Sequence, residues 1–266
     1  MSADSKRIIS LSSLPSGPNV IFHESSFFSR NNGRSLPTLS EVRAESARQH
    51  SDDDHRKDNS PVIFESLGLL VKYGKERVQV AEGQCLWVLN HFLPEVPAPE
   101  IYGWAAEDGY VLLYMELVNG VTVEKRWPSM TDDEKAGFWK ALRAVFDNLR
   151  KLSQDPNDAF VGQINRGPLY DEAIDNSKDP RPGPFASVKD FHDWCSITIR
   201  TGCEIHWPGM KPEEIPDPHR VMVPNDAPIV FTHAELHCSN ILIDPENPST
   251  IVAIVNWHYS GWWPDY

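Results

Sequence analysis

The sequence predicts an α+β protein of two lobes: a small sheet-rich lobe over 18–118 and a larger helical lobe over 119–266 that carries a late hairpin. Three observations predict it. In the first half strand-like runs dominate, and two of them flank the turn pair Asp108-Gly109. Past the midpoint, apolar residues recur at helical spacing behind a capping pattern. Near the end, two short apolar runs, ILID and IVAIV, follow a polar loop.

In chain order, residues 1–17 are polar and read as a flexible N-terminus. The stretch ESARQHSDDDHRKDNSP, 45–61, is dense in charge with almost nothing apolar, and reads as a solvated loop. GLLVKYG, 68–74, reads as a strand ending at a glycine turn. In VQVAEGQCLWVLNHFL, 78–93, residues Val78, Ala81, Cys85, Leu89 and Phe92 share one helical face. Pro94, Pro97 and Pro99 stop that helix and extend the chain. IYGWAAEDGYVLLYMEL, 101–117, is the hairpin, and Asn119-Gly120 marks a turn beyond it. Thr131 and Glu134 form a capping-box pattern. Phe138, Leu142, Val145, Leu149 and Leu152 then recur at helical spacing, and Ser187 is the expected cap of a further helix, VKDFHDWCSITIR.

Composition narrows the function classes. The chain has 266 residues, 40% hydrophobic and 24% charged, ordinary values for a globular protein. Its formal net charge of −13 argues against nucleic acid as a partner, which needs a basic face. No apolar run is long enough for a membrane span or a signal peptide, so no membrane partner is expected. Cys85, Cys195, Cys203 and Cys238 are scattered with no Cys-x-x-Cys pair, and read as reduced thiols of a cytoplasmic protein.

The chemistry concentrates in IVFTHAELHCSNILID, 229–244, where His233, Glu235, His237, Cys238 and Asn240 lie within eight positions. Two zinc patterns fail on spacing. His-Glu-x-x-His needs the glutamate beside the first histidine, and the His-x-Glu of deaminases needs a following Pro-Cys-x-x-Cys, which this chain lacks. A phosphotransfer loop fits better. It wants a carboxylate to orient or deprotonate the attacking hydroxyl, an asparagine five residues on for magnesium, and after a hairpin an aspartate that bridges metal and phosphates. Glu235 and Asn240 hold the first two positions, but the third holds Asn256. Lys72 ends an apolar strand and Glu82 lies on the next helix, the order expected of a phosphate-binding lysine and its partner. Met115-Glu116-Leu117 stand where backbone groups of an inter-lobe hinge would meet an adenine. Singly these have plainer readings: a surface lysine, a solvated glutamate, a strand running into a turn. Their common order argues for more. The nearest candidate for a glycine-rich phosphate loop is Asn31-Asn32-Gly33-Arg34.

Taken in order, LLVKYG, VAEGQCLWVL, VPAPEIYGW, YMELVNG, FVGQINRGPLYD, THAELHCSNILID and VNWHYSGWWPDY resemble the aminoglycoside phosphotransferase family, and specifically its fungal members, over residues 60–266. The resemblance implies a bilobal protein-kinase-like fold that moves the ATP γ-phosphate to a hydroxyl of a small molecule with Mg2+. It implies catalytic roles for Glu235 and Asn240, nucleotide contacts from Lys72, Glu82, Glu116 and Leu117, and metal contacts from Asn240 and Asn256. The departures fall on the chemistry. The family's His-Gly-Asp is His233-Ala234-Glu235 here, and its Asp-Trp is Asn256-Trp257. Relatives also continue into further helices past the position of Tyr266, so the C-terminal helices of the fold are expected to be missing. The expectation is a family member with impaired chemistry; an active small-molecule kinase using Glu235 as base, and a non-catalytic binding or scaffold protein, are the alternatives.

Overall fold

The pairing that Asp108-Gly109 predicts forms the centre of the main sheet. The structure is a computed structural model that describes residues 6–49, 60–169, 182–201 and 207–266. Along the chain run β1 (Arg7–Ile9), β2 (Asn19–Ile21), α1 (Ser26–Arg30), α2 (Leu39–Gln49), β3 (Val62–Phe64), β4 (Leu69–Gly74) and α3 (Val80–Phe92). Then come β5 (Ile101–Glu107), β6 (Tyr110–Glu116), β7 (Val121–Thr122), α4 (Val123–Arg126), α5 (Asp132–Leu149), β8 (Leu152–Gln154) and β9 (Gly162–Gln163). The chain closes with α6 (Val188–Thr201), β10 (Ile229–Thr232), β11 (Ile241–Ile243), β12 (Ile251–Ile254) and β13 (Gly261–Pro264). Contacts group 14–149 with 235–258 in one compact unit, and residues up to 13 with 150–234 and 259–266 in another. The hairpin β11–β12 groups with the main sheet in the first of these.

In the first unit, five antiparallel strands pair in the order β2-β5-β6-β4-β3. Asp108 and Gly109 take φ of 51° and 74°, the two positive values that a two-residue hairpin turn requires. One face of the sheet packs Val71 and Tyr73 of β4 and Leu112 and Tyr114 of β6 against Phe27, Leu39 and Val42 of α1 and α2. The alternate residues face the other way, and Leu113 and Trp104 there receive α3. Gly83 makes that approach possible: a Cβ on it would stand 2.9 Å from Trp104 Cε3 and 3.2 Å from Leu113 Cδ2. A second antiparallel sheet, β12-β11-β7, carries the late hairpin, and α5 packs on β12. The capping box at the start of α5 is complete: Thr131 N–H donates to Glu134 at 2.6 Å, and Glu134 N–H donates to Thr131 Oγ1 at 3.2 Å. Phe138, Leu142, Val145 and Leu149 are buried as their spacing predicts.

Three expectations need correction. The helix α5 ends at Leu149, and Leu152 opens β8 instead of adding a turn. Residues 6–17 include a paired strand, because β1 runs parallel to β8 with Arg7 opposite Leu152. The stretch 45–61 is not all loop either: 45–49 is the last part of α2, whose start is fixed by Thr38 and Glu41 in a second capping box. Its residues 50–59 lie outside the described residues.

The second unit holds β1–β8, an antiparallel sheet β10-β13-β9, and α6 over a core of Val161, Leu169, Val188 and Phe191. Asp190 N–H donates to Ser187 Oγ at 3.1 Å, the predicted cap of α6. On that helix the buried His192 donates from Nδ1 to the Pro224 carbonyl at 2.7 Å. Its Nε2 accepts from the Tyr266 hydroxyl at 2.7 Å. Cys85, Cys195 and Cys238 are not disulfide-bonded among the described residues, and Cys203 lies outside them. Among the described residues no helix is long and apolar enough to cross a membrane.

Candidate active site

Register places the first half of the site. Lys72 pairs with Leu113 across β4 and β6, and Leu113 is the residue that meets Gly83 of α3. Lys72 therefore points to the α3 face of the sheet, opposite the buried Val71 and Tyr73. Glu82 lies in the first turn of α3, where a carboxylate also meets the positive end of the helix dipole. The two meet at 2.5 Å between Nζ and Oε1, with side chains 16% and 2% exposed. An ionised carboxylate so buried is costly unless it is paired, and the Lys72 ammonium supplies the pair.

Loop geometry places the second half. Ala234 and Asn256 both take left-handed backbone, with φ of 65° and 72°. Asparagine accepts that conformation readily, and alanine does not. After β12 the chain is pinned on both sides of Asn256. Val255 N–H donates to the Asn240 carbonyl at 2.9 Å, and the buried Trp257 donates from Nε1 to the Ile254 carbonyl at 2.7 Å. In the preceding loop His237 N–H donates to the Glu235 carbonyl at 2.9 Å and Asn240 N–H to the His237 carbonyl at 2.8 Å. The ring of His237 accepts from Ser239 N–H at 3.3 Å, so this histidine shapes the loop.

These halves join in one hydrogen-bonded chain. Lys72 Nζ donates to Asn256 Oδ1 at 2.9 Å. Asn256 Nδ2 donates to Glu235 Oε2 at 2.9 Å. Asn240 Nδ2 donates to the Glu235 backbone carbonyl at 2.9 Å. Five residues read from the sequence, Lys72, Glu82, Glu235, Asn240 and Asn256, are thus brought together within one compact unit.

Two other expectations fare differently. The backbone N–H of Glu116 donates to the Glu100 carbonyl at 2.8 Å and that of Leu117 to the Gly68 carbonyl at 3.0 Å, so neither N–H faces an open position. Asn31-Asn32-Gly33-Arg34 is the turn that follows α1, with Asn31 capping the helix and its Nδ2 donating to the Phe27 carbonyl at 2.9 Å.

Magnesium does not fit the side chains present. The cluster offers two carboxylates, of which Glu82 is engaged by Lys72, and two carboxamides, Asn240 and Asn256. Magnesium demands oxygen donors in octahedral geometry at about 2.0–2.1 Å. Here the group facing Glu235 Oε2 is an amide N–H, and Asn256 Oδ1 is turned to Lys72. Among the described residues no group of three or more His, Cys, Asp or Glu could hold a metal ion.

Residues 76–264 match the model of the phosphotransferase enzyme family. Among solved structures, the apo form of a thermostable mutant of aminoglycoside phosphotransferase APH(4)-Ia is similar at 14% identity and a TM-score of 0.46, over 77% of this chain and 64% of that one. A ternary complex of that enzyme with ADP and hygromycin B is similar at 14% identity and 0.46, over 77% of this chain and 63% of that one. An aminoglycoside-3'-phosphotransferase of type VIII is similar at 14% identity and 0.42, over 84% of this chain and 78% of that one. The chain thus spans less than two thirds of the length of the first solved structures it matches. No curated protein matches it.

Proposed function

We propose, for a chain that belongs to the phosphotransferase enzyme family, that it is a nucleotide-binding protein in which the family reaction is impaired. That reaction is transfer of the ATP γ-phosphoryl group to a hydroxyl of a small molecule. The observation that carries the reading is the Asn256 carboxamide set between Lys72 and Glu235. In this assignment residues 18–118 hold the nucleotide and 119–266 carry the loop and the acceptor side. Lys72, oriented by Glu82, contacts phosphate. Glu235 holds the base position, but its Oε2 already accepts a hydrogen bond, and its extra methylene relative to aspartate moves the carboxylate. A misplacement of about 1 Å costs about 10²-fold in rate. Loss of a partner outside a metal's own ligands already costs about 10–100-fold, and Asn256 removes a full negative charge from where a ligand would sit. The two effects touch one cluster and need not multiply.

Thermal unfolding with and without ATP tests the binding half, because a ligand of the native state raises Tm by mass action. Magnesium-dependent ATP turnover with hydroxylated acceptors tests the impaired half; turnover at ordinary kinase rates of about 1–100 s⁻¹ sinks it. One observation favours a rival, a scaffold that uses the fold alone: the chain from Glu82 to Asn240 satisfies itself without a ligand. That rival requires no Tm shift with any nucleotide.

A further inference from the structure

We propose that the site takes its nucleotide through a single phosphoryl group, with no divalent cation, and that the Glu235–Asn256 hydrogen bond stands in the cation's place. This deepens the nucleotide-binding reading and rests on it.

The two departures from the family's aspartates look like separate losses in the sequence. In the structure they answer one another. Two carboxylates held at hydrogen-bond distance repel, and one of them protonates unless a cation lies between. Replacing one by a carboxamide turns that repulsion into a donor–acceptor contact. Lengthening the other by one methylene lets it span the gap. The contact is 2.9 Å from Asn256 Nδ2 to Glu235 Oε2. Adjacent ligands of an octahedral ion at 2.0–2.1 Å stand roughly 2.9 Å apart. The two side chains thus stand at a spacing that neighbouring metal ligands also take, and the amide supplies a bound hydrogen where an ion would supply charge.

Charge and donor count then select the ligand. The cluster has one cation, Lys72, against the carboxylates of Glu82 and Glu235. An ammonium has three donors. Lys72 uses one on Glu82 and one on Asn256 Oδ1, which among the described residues leaves one N–H for a ligand oxygen. One N–H beside a buried ion pair suits one phosphoryl oxygen. A triphosphate without its cation would bring more negative charge towards Glu235 than a mono- or diphosphate does. The ligand class is therefore a nucleoside mono- or diphosphate, free of metal.

The test is the Tm of the full chain with AMP, ADP or ATP, each in EDTA and each in excess Mg2+. The expected result is a rise with AMP and ADP in EDTA that Mg2+ does not increase, and a smaller rise with ATP in EDTA. A rise seen only with Mg2+ overturns the metal-free proposal and leaves nucleotide binding standing. No rise with any nucleotide under either condition overturns both. Asn256→Asp gives a second, independent arm. It places two carboxylates at the spacing of neighbouring metal ligands, so Mg2+ alone should raise the Tm of this variant and leave that of the parent unchanged. Equal responses of the two proteins to Mg2+ would count against the substitution of amide for ion.

Discussion

Lys72–Glu82 and Glu235–Asn256 are the two ends of one hydrogen-bonded chain, and different physics holds each. The first is an opposite-charge pair buried to 2% exposure on the glutamate side, placed by sheet register and by the close approach of α3 at Gly83. The second joins a carboxylate to a neutral amide at the tips of two loops, with left-handed backbone beside or within it. The first end cannot change without leaving a charge stranded. The second can exchange charge for hydrogen bonding and still satisfy every partner. The departures from the family pattern fall at the end that tolerates them.

The largest predicted effect comes from breaking the rigid end. Lys72→Met strands Glu82, and should cost about 3–5 kcal/mol in urea denaturation. Adding Glu82→Gln should recover much of it; a cost below about 1 kcal/mol for the single change would show that the pair is not buried as described. Gly83→Val attacks the same end through packing. Its side chain must displace Trp104, with an expected loss of about 1–3 kcal/mol, and unchanged stability would show that α3 has room to shift. At the adaptable end, Asn256→Ala removes two hydrogen bonds between partly exposed groups and puts alanine in left-handed backbone, and about 2 kcal/mol is expected, so the comparison fails if this exceeds the Lys72→Met loss. The smallest effect is a gain. Ala234→Gly relieves a φ of 65° and should stabilise by up to about 1 kcal/mol, read as a rise in Tm.

Much of this was legible in the sequence, and the limits have physical causes. Asp108-Gly109, the alternation in LLVKYG and the Thr131/Glu134 box are local signals, and each maps onto the element it predicts. The same Thr-x-x-Glu pattern stands at Thr38 and Glu41, but charge dominates the residues that follow and masks the helical signal of α2. The parallel pairing of β1 with β8 joins residues about 145 positions apart, and no local pattern encodes such a pair. At the site, spacing identified Lys72, Glu82, Glu235, Asn240 and Asn256. It could not foresee that Asn256 and Glu235 bond to each other, since that depends on side-chain reach across two loops. Nor could it foresee that sheet pairing engages the N–H groups of Glu116 and Leu117.

The clamp on α6 makes the second unit sensitive to protons. A carbonyl can only accept, so the Pro224 contact fixes the hydrogen of His192 on Nδ1, and the Tyr266 contact then needs the lone pair on Nε2. The neutral ring meets both as they stand; a protonated ring keeps the second only if the Tyr266 hydroxyl turns to accept. Burial first, opposed by the Pro224 hydrogen bond, holds the imidazole below its ordinary value of 6.5. The unfolded chain therefore takes up this proton before the folded one, and the linked stability is whole above pH 6.5 and declines as pH falls from there towards the lowered folded value. Protonation puts a charge on a buried ring and forces the Tyr266 hydroxyl to turn from donor to acceptor, which weakens the tie between α6 and Tyr266. Acidification should thus release the 266 end first, visible as earlier hydrogen exchange around α6 than in the five-stranded sheet.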